Sequence, residues 1–332
     1  MKPPSNGGRG GPPRGRHPHP PGGFGGDRTP RGGEERGRVG ESGRPVLHAP
    51  TQTLRNDRRD APQSGFRSGP QQGEHRFDKR HDHRPRAAGG AEAPRGTVWL
   101  YGLHAVAAAL TNPSRRLRRL LVTEETEQAL AAQAPPPWPL SAERSERARL
   151  DQLLGRDIVH QGVALLADLL PQPALAQVLE RPGPVLVLDQ VSDPRNVGAI
   201  LRSAAAFGAA AVITQERNAP DETGALAKAA SGALERVPLL RAVNIARTLI
   251  ALKAAGCWVV GLDAGGAPLL GTALAQRRVA LVLGSEGEGL RRLTRDTCDE
   301  IAGIAIARPM RLDSLNVSAA AAIALYELAR AP

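Results

Sequence analysis

A periodic pattern of hydrophobic positions begins only at about residue 97 of this chain. Apolar residues at 99–103 lead into a predicted helix that Asn112-Pro113 ends. The pattern then predicts a short strand in LRRLLVT, a helix in ERARLDQLLG and a β-rich return in IVHQGVALLADLL. We therefore expect a small α/β unit over residues 97–170, followed by a linker at 171–182.

From residue 183 onward, apolar strand runs alternate more clearly with helices. The predicted strands are PVLVLDQV, AAVIT, CWVVGLD, RVALVLG and IAGIAIA, and the predicted helices are AILRSAAAFG, NIARTLIALKAAG and LNVSAAAAIALYELAR. Strands of this kind predict a parallel α/β sheet covered on both faces. Ligands of such sheets bind beyond the carboxyl ends of the strands, so the loops there are the candidate site.

Residues 1–96 differ from the rest in composition. They contain 20 of the 37 glycines and 14 of the 29 prolines, and they carry +9 of the net charge of +11. Such a segment buries too little apolar surface to offset its chain entropy, so we expect a disordered tail. Its Arg-Gly tracts favour contact with nucleic acid, although a solubilising extension without a partner fits equally well. His75, His81 and His83 are not expected to hold a metal there.

Several classes of protein are excluded by simple counts. The chain has no run of about 20 apolar residues, as a membrane span requires. Its first residues have no apolar core of a secretory signal. The two cysteines, Cys257 and Cys298, cannot form a disulfide scaffold or a four-ligand zinc site. We therefore expect a cytoplasmic protein without a metal.

The first strand-end loop, residues 189–204, reads DQVSDPRNVGAILRSA. Asp193-Pro194 and Asn196 supply turn and cap chemistry before a predicted helix opened by Gly198. Arg202 would then lie about one turn into that helix. A helix N-terminus beside an arginine suits an anion, and an ordinary capped helix with a surface arginine remains an open alternative.

The other two loops are also rich in polar groups or glycine. Residues 281–290 read LVLGSEGEGL, and three glycines let the backbone approach a ligand. This is neither G-x-G-x-x-G nor a P-loop, and its carboxylates favour a neutral or cationic ligand such as a nucleoside sulfonium. At 311–327, Ser314, Asn316 and Ser318 crowd the start of an Ala-rich helix, beyond what capping requires.

Together, the three loops resemble those of the SpoU (TrmH) family of RNA ribose 2′-O-methyltransferases. DPRNVGAILRSA, LVLGSEGEGL and SLNVS occur in the family's order and spacing, and the similarity extends through GLRRLTRDTCDE, YGLHAV and HQGV. It covers residues 97–332 and none of the tail. The chain is most similar to the branch that methylates a guanosine of bacterial 23S rRNA, in which an L30e-like RNA-binding domain precedes the methyltransferase domain.

The resemblance implies a parallel α/β domain at 183–332 with a trefoil knot of the SPOUT type. It also implies a homodimer that binds S-adenosylmethionine in the knot, with the site near the subunit interface. The residues that match the family's catalytic positions are Arg202, Asn196, Glu286, Ser314 and Asn316. Those that match its cofactor contacts are Gly284, Ile306 and Leu315. The match of Ile306 to a cofactor contact depends on an ungapped alignment, because the segment IARPMRLD departs from the family's Ile-Pro-Met-Gly pattern.

The resemblance makes Arg202 the catalytic arginine. Because a guanidinium stays protonated, we expect Arg202 to hold a phosphate and stabilise developing alkoxide charge. The cluster Arg115, Arg116, Arg118 and Arg119 is expected to contact RNA phosphates, although a solvated edge is also open.

Two alternative functions also have RNA as the partner. One is a tRNA ribose 2′-O-methyltransferase, and the other is a non-catalytic RNA-binding or ribosome-assembly factor. A nicotinamide dehydrogenase is rejected because no strand is followed by G-x-G-x-x-G.

Overall fold

A computed structural model describes residues 93–269, 271–306 and 314–330. Of the predicted disordered tail, only residues 93–96 fall within these ranges. His75, His81 and His83 and the segment between Ile306 and Ser314 lie outside the described residues. No helix within the described ranges is long and apolar enough to cross a bilayer.

The first α/β unit contains a four-stranded sheet. Its strands are β1 (Thr97–Tyr101), β2 (Leu117–Val122), β3 (Ala142–Arg144) and β4 (Val163–Asp168), and its helices are α1 (Leu103–Thr111), α2 (Glu124–Gln133) and α3 (Arg147–Leu154). The strand order is β1-β4-β2-β3, with β4 antiparallel to both neighbours. The helix predicted to end before Asn112-Pro113 is confirmed. Helix α2 was missed because it is mostly polar and buries only Leu130.

The second unit contains a six-stranded sheet. Its strands are β5 (Val185–Leu188), β6 (Ala211–Gln215), β7 (Leu239–Ala242), β8 (Cys257–Pro268), β9 (Arg278–Leu283) and β10 (Glu300–Gly303). Its helices are α4 (Leu175–Leu179), α5 (Pro194–Ala206), α6 (Gly224–Ala230), α7 (Ile245–Ala254), α8 (Gly271–Leu274), α9 (Arg292–Thr297) and α10 (Val317–Ala329). The order is β10-β8-β9-β5-β6-β7 and every neighbouring pair is parallel, which confirms the predicted parallel sheet.

The carboxyl ends of the central strands lie level with one another. Leu283 pairs with both Leu188 and Leu262, and Leu188 also pairs with Thr214. The loops after β5, β6 and β9 therefore leave the sheet at the same edge, level with Leu262, beyond which β8 continues to Pro268. Two of the three loops singled out in the sequence follow β5 and β9 there, and the third leads into α10.

The predicted start of helix α5 was wrong. The helix begins at Pro194 rather than Gly198, because the Asp193 side chain accepts a hydrogen bond from the Arg195 amide at 2.8 Å. Proline at the first helical position also favours this start. Asn196 therefore lies within the first turn and Arg202 two turns in. Gly198 instead allows close packing on α6, since a Cβ there would lie 2.5 Å from the Leu226 carbonyl oxygen.

Three further details differ from the sequence prediction. The predicted linker contains α4, whose Val178 is buried in the core of the second sheet. Strand β7 was missed because its pattern spans only four residues. Strand β10 ends at Gly303, so Ile306 follows the strand rather than lying within it.

The predicted RNA contact through Arg115 was also wrong. The Arg115 side chain is 0% exposed and pairs with Glu222 at 2.5 Å and with Glu235. Burial alone would lower the pKa of Arg115, but these carboxylates outweigh it and hold its pKa above the ordinary value. Arg115 therefore joins the first unit to the second. Of its neighbours, Arg118 pairs with Asp168 and Arg119 with Glu143 on the exposed surface.

Candidate active site

A cavity of about 470 Å³ lies at the carboxyl end of β9, beside the middle of β8; we call it the β8–β9 cavity. Its walls come from residues 262–264 of β8, the loop at 283–289, Ile304 and Ile306 after β10, and the segment from Ser314 into α10. The second and third loops singled out in the sequence therefore meet in one place.

The loop after β9 is folded back on itself. The amide of Ser285 donates to the carbonyl oxygen of Gly289 at 3.2 Å, and the reverse bond is 3.1 Å. A Cβ at Gly284 would lie 2.1 Å from the backbone of Gly289, so only glycine permits this closure. Gly287 and Gly289 have φ angles of +99° and +68°, which also favour glycine. The glycines thus hold a tight backbone wall.

Three of the predicted catalytic side chains form one hydrogen-bonded cluster. Asn196 Nδ2 donates to Glu286 Oε1 at 2.9 Å, and Asn316 Nδ2 donates to the same oxygen at 2.7 Å. Asn316 Nδ2 also lies 3.1 Å from Asn196 Oδ1. We call these three residues the Asn–Glu–Asn cluster. It joins the first turn of α5, the loop after β9 and the start of α10.

The hydrogen-bonding roles in this cluster follow from simple chemistry. An ionised carboxylate only accepts, so both amide nitrogens must face Glu286. Asn316 Oδ1 then accepts from the Ser318 amide at 2.9 Å and caps α10. Glu286 Oε2 has no hydrogen bond to any described residue, and Glu286 is exposed. One carboxylate oxygen is therefore fixed and the other remains able to accept from a ligand.

The remaining predicted site residues divide into two groups. Gly284, Ile306, Ser314 and Leu315 all line the β8–β9 cavity, as does Glu286. Arg202 does not line it; this arginine is exposed on α5 and forms no hydrogen bond or ion pair with a described residue. A single chain therefore does not bring Arg202 to the cavity.

Two acidic residues of this region were not singled out in the sequence. Asp263 lines the β8–β9 cavity at the end of the regular part of β8 and pairs with Arg295. Asp189 is fully buried after β5, and Arg291 Nε donates to its carboxylate at 2.8 Å. The signal that could have found both is an aspartate directly after an apolar strand run, in VLVLD and VVGLD.

Two family models match the chain over nearly all the described residues. The model of the SpoU rRNA Methylase family matches residues 183–326. The model described as RNA 2′-O ribose methyltransferase substrate binding matches residues 99–173.

Curated relatives are also similar to this chain. An uncharacterized tRNA/rRNA methyltransferase of Mycobacterium tuberculosis H37Rv is 42% identical over 189 residues, which are 55% of this chain and 58% of the relative. The chain thus spans about 58% of the length of this relative. The 23S rRNA (guanosine-2′-O-)-methyltransferase RlmB of Coxiella burnetii is 38% identical over 242 residues, covering 70% of this chain and 94% of that protein.

Solved structures share the fold. A TrmH-family RNA methyltransferase from Porphyromonas gingivalis aligns with a TM-score of 0.57 at 27% identity, covering 70% of this chain and 89% of the other. The SpoU methyltransferase AviRb from Streptomyces viridochromogenes, solved with AdoMet, aligns with a TM-score of 0.58 at 23% identity. This alignment covers 71% of this chain and 90% of the other. The two family models and the RlmB relative lead to one conclusion: the chain belongs to the SpoU rRNA methylase family.

Proposed function

We propose that the protein methylates a ribose 2′-hydroxyl in RNA with S-adenosylmethionine as donor, and that its target is a guanosine of 23S rRNA. The observation that carries this proposal is the meeting of the cavity-lining loops with the Asn–Glu–Asn cluster. The RlmB relatives, whose names state this activity, are matched over 94% and 97% of their length.

The domain organisation that we propose has four parts. Residues 1–96 form a disordered tail, 97–170 an L30e-like RNA-binding domain, 171–182 a linker and 183–332 the SpoU methyltransferase domain. The two family matches, at 99–173 and 183–326, support the two central boundaries. We place the protein in the cytoplasm, where its RNA substrate is made and assembled.

We also propose that the second domain contains a trefoil knot. Strand β10 follows β9 in the chain but pairs with the far side of β8. The chain then returns so that α10 packs on α5, which follows β5 on the other side of β9. Residues before and within α10 meet the loop after β9 in the same cavity, which is where a threaded segment would pass.

The β8–β9 cavity fits a nucleoside sulfonium. Its volume of about 470 Å³ lies within the range of small-molecule sites, and Asp263, Glu286 and Glu288 place carboxylates on its wall. At Gly284 the wall of the cavity is backbone without a side chain, and Ile306 and Leu315 add apolar surface. S-adenosylmethionine would supply an electrophilic methyl group there.

The chain's own residues would mainly orient the ribose. In our proposal, Glu286 Oε2 accepts from a ribose hydroxyl while the two asparagine amides hold Glu286 Oε1 in place. Positioning of this kind accounts for much of the acceleration of a two-substrate reaction. Arg202 remains protonated, holds an RNA phosphate and stabilises the charge that develops on the ribose oxygen.

A homodimer would complete this site. Helix α10 exposes Ala319, Ile323 and Tyr326, which are spaced along one helix face. Tyr326 makes an edge-to-face contact with Phe207 just after α5, so α10 and α5 share this surface. A dimer built on α10 would therefore bring the exposed Arg202 to the interface, near which we place the active site.

The decisive experiment measures transfer of labelled methyl from S-adenosylmethionine to 23S rRNA and to tRNA from a strain that lacks this gene. We expect label on one guanosine ribose of 23S rRNA with the wild-type protein and none with Arg202→Ala. Calorimetry of cofactor binding should give the same affinity for both proteins. Label in tRNA alone would show that tRNA, rather than 23S rRNA, is the substrate. No label in either RNA, with intact cofactor binding, would favour a role in RNA binding without catalysis.

The role of Arg202 has its own test, a pH–rate profile of Arg202→Lys. We expect a large loss of rate at every pH, because lysine cannot reproduce the planar, two-point contact of a guanidinium with phosphate. Recovery of the rate at high pH, following deprotonation of the lysine, would instead make Arg202 a proton acceptor.

A further inference from the structure

A second cavity, of about 300 Å³, lies at the carboxyl ends of β5, β6 and β7; we call it the β5–β7 pocket. Four lining residues lie at these strand ends. Gln215 is the last residue of β6, while Gln190, Arg217 and Asn244 follow β5, β6 and β7, respectively. The pocket shares no described lining residue with the β8–β9 cavity. Along the chain, five residues lie between Gln190 of this pocket and Asn196 of the Asn–Glu–Asn cluster.

The most informative group in this pocket is the Gln215 side-chain amide. Gln215 is 6% exposed, and its Nε2 atom is buried without a hydrogen-bond partner among the described residues. Its Oε1 atom lies 3.5 Å from Arg291 Nη2. Because arginine only donates, the amide cannot be turned around without placing donors against each other. Gln215 therefore presents unused donors, which call for an acceptor from a ligand.

The charges around the pocket favour an anion. Arg217 is exposed and forms no hydrogen bond or ion pair with a described residue. Helix α7 begins at the pocket with Ile245 and Ala246, where the backbone amides and helix dipole attract negative charge. Among the described residues, no acidic side chain lines the pocket. The nearby Asp189 is buried and pairs with Arg291.

Apolar side chains lie beside these polar groups. Val243 is 86% exposed and Leu293 is 64% exposed, and both line the pocket. Exposed aliphatic side chains next to cationic groups match a ligand with a flat apolar face and an anionic group. A nucleotide has both, and the volume of the pocket is in the range of one such unit.

We propose that the β5–β7 pocket binds one unpaired nucleotide of the RNA substrate, close to the nucleotide that is methylated. Its phosphate lies against Arg217 and the start of α7, its base packs on Val243 and Leu293, and a base oxygen or nitrogen accepts from Gln215 Nε2. This inference rests on the proposed function, because it assigns a second contact to the same RNA.

The first test is direct binding to the full chain, followed by amide NMR. Guanosine monophosphate, uridine monophosphate and inorganic phosphate are added separately, and the Gln215 side-chain signal is assigned through its loss in Gln215→Leu. We expect the nucleotides to shift this signal and Arg217→Ala to abolish the shift. A shift produced equally by inorganic phosphate would overturn the nucleotide assignment, as would no shift at all. This measurement does not depend on methyl transfer, so it remains informative if the proposed function fails.

The second test is the kinetics of methyl transfer to 23S rRNA at fixed salt. Arg217→Ala should raise KM about tenfold, as expected for loss of a contact to a charged group. Gln215→Leu should raise KM less, about three- to tenfold, because it removes a hydrogen bond to a neutral base atom. For both variants, kcat and cofactor affinity should be unchanged. Arg247→Ala is the matched control, because Arg247 is an exposed arginine of α7 that does not line the pocket. KM values equal to that of the control would refute the pocket. Arg217 is on the surface, so its variant remains decisive if Gln215→Leu fails to fold.

Discussion

The junction between the two α/β units and the candidate active site are both polar clusters, but they differ in how completely their groups are paired. At the junction, all four carboxylate oxygens of Glu222 and Glu235 accept hydrogen bonds. Four of these bonds come from Arg115, and one each comes from Asn112 and the Leu170 amide. In the Asn–Glu–Asn cluster, one oxygen of Glu286 accepts twice and the other has no described partner.

The difference shows what each cluster is suited to do. A buried, fully paired cluster has no free donor or acceptor for a ligand. Substitution of one member is strongly destabilising, because the other members then stay buried without a partner or water. An exposed, partly paired cluster loses little when altered and keeps a group available for a substrate. The junction cluster therefore holds the first α/β unit against the second, and the Asn–Glu–Asn cluster keeps a group free for a ligand.

The largest effect should come from breaking the junction with Arg115→Met. This leaves two buried carboxylates unpaired, and we expect a loss of about 3–5 kcal/mol in the free energy of unfolding, measured by urea denaturation at pH 7. A loss below about 1 kcal/mol would mean that water replaces Arg115.

The second-largest effect is expected for Asn316→Ser in the Asn–Glu–Asn cluster, and it should fall on catalysis rather than on stability. Asn316→Ser keeps a side chain that caps α10 but removes the amide that holds Glu286. We expect kcat/KM for methyl transfer to fall roughly ten- to a hundredfold, the usual value of a hydrogen bond to a charged group. The free energy of unfolding should change by less than about 1 kcal/mol. A large loss of stability with unchanged kinetics would make Asn316 a purely structural residue.

The third prediction concerns Gly198, where α5 packs on α6 between the two clusters. A Cβ there would lie 2.5 Å from the Leu226 carbonyl oxygen and 2.6 Å from the Ala229 Cβ. Gly198→Ala should destabilise the protein by about 1–3 kcal/mol and also lower kcat/KM, because α5 carries Asn196. Gly265→Ala is the matched control, since a Cβ at Gly265 meets nothing within 4 Å. Equal stability of the two variants would show that the two helices separate freely.

The smallest effect is expected for Arg118→Ala, three residues from Arg115. Arg118 makes two hydrogen bonds to Asp168, at 2.7 and 2.8 Å, but on the exposed surface. Loss of this pair should lower the free energy of unfolding far less than loss of Arg115 does, and the effect should become smaller still in high salt. A loss as large as that of Arg115→Met would remove the distinction between buried and exposed pairs on which the comparison depends.

Local patterns predicted much of the fold and of the site. The strand runs such as RVALVLG and the stop at Asn112-Pro113 depend on neighbouring residues only, and the structure confirms them. The start of α5 was misplaced because Asp193-Pro194 acts as cap and first turn, whereas Gly198 serves a packing contact with α6. Such a contact involves residues about 30 positions apart, and no local pattern records it.

By itself, the sequence determined that the strand runs after residue 183 form a parallel sheet within an α/β unit and that the segments following these strands carry Asn196, Glu286 and Asn316. It could do so because hydrophobic periodicity and turn residues act over short distances. Only the tertiary structure decided that one of four clustered arginines, Arg115, is buried in a junction while Arg118 and Arg119 stay on the surface. The physical reason is that burial and pairing depend on which distant chain segment packs against a residue, as Glu222 and Glu235 do here.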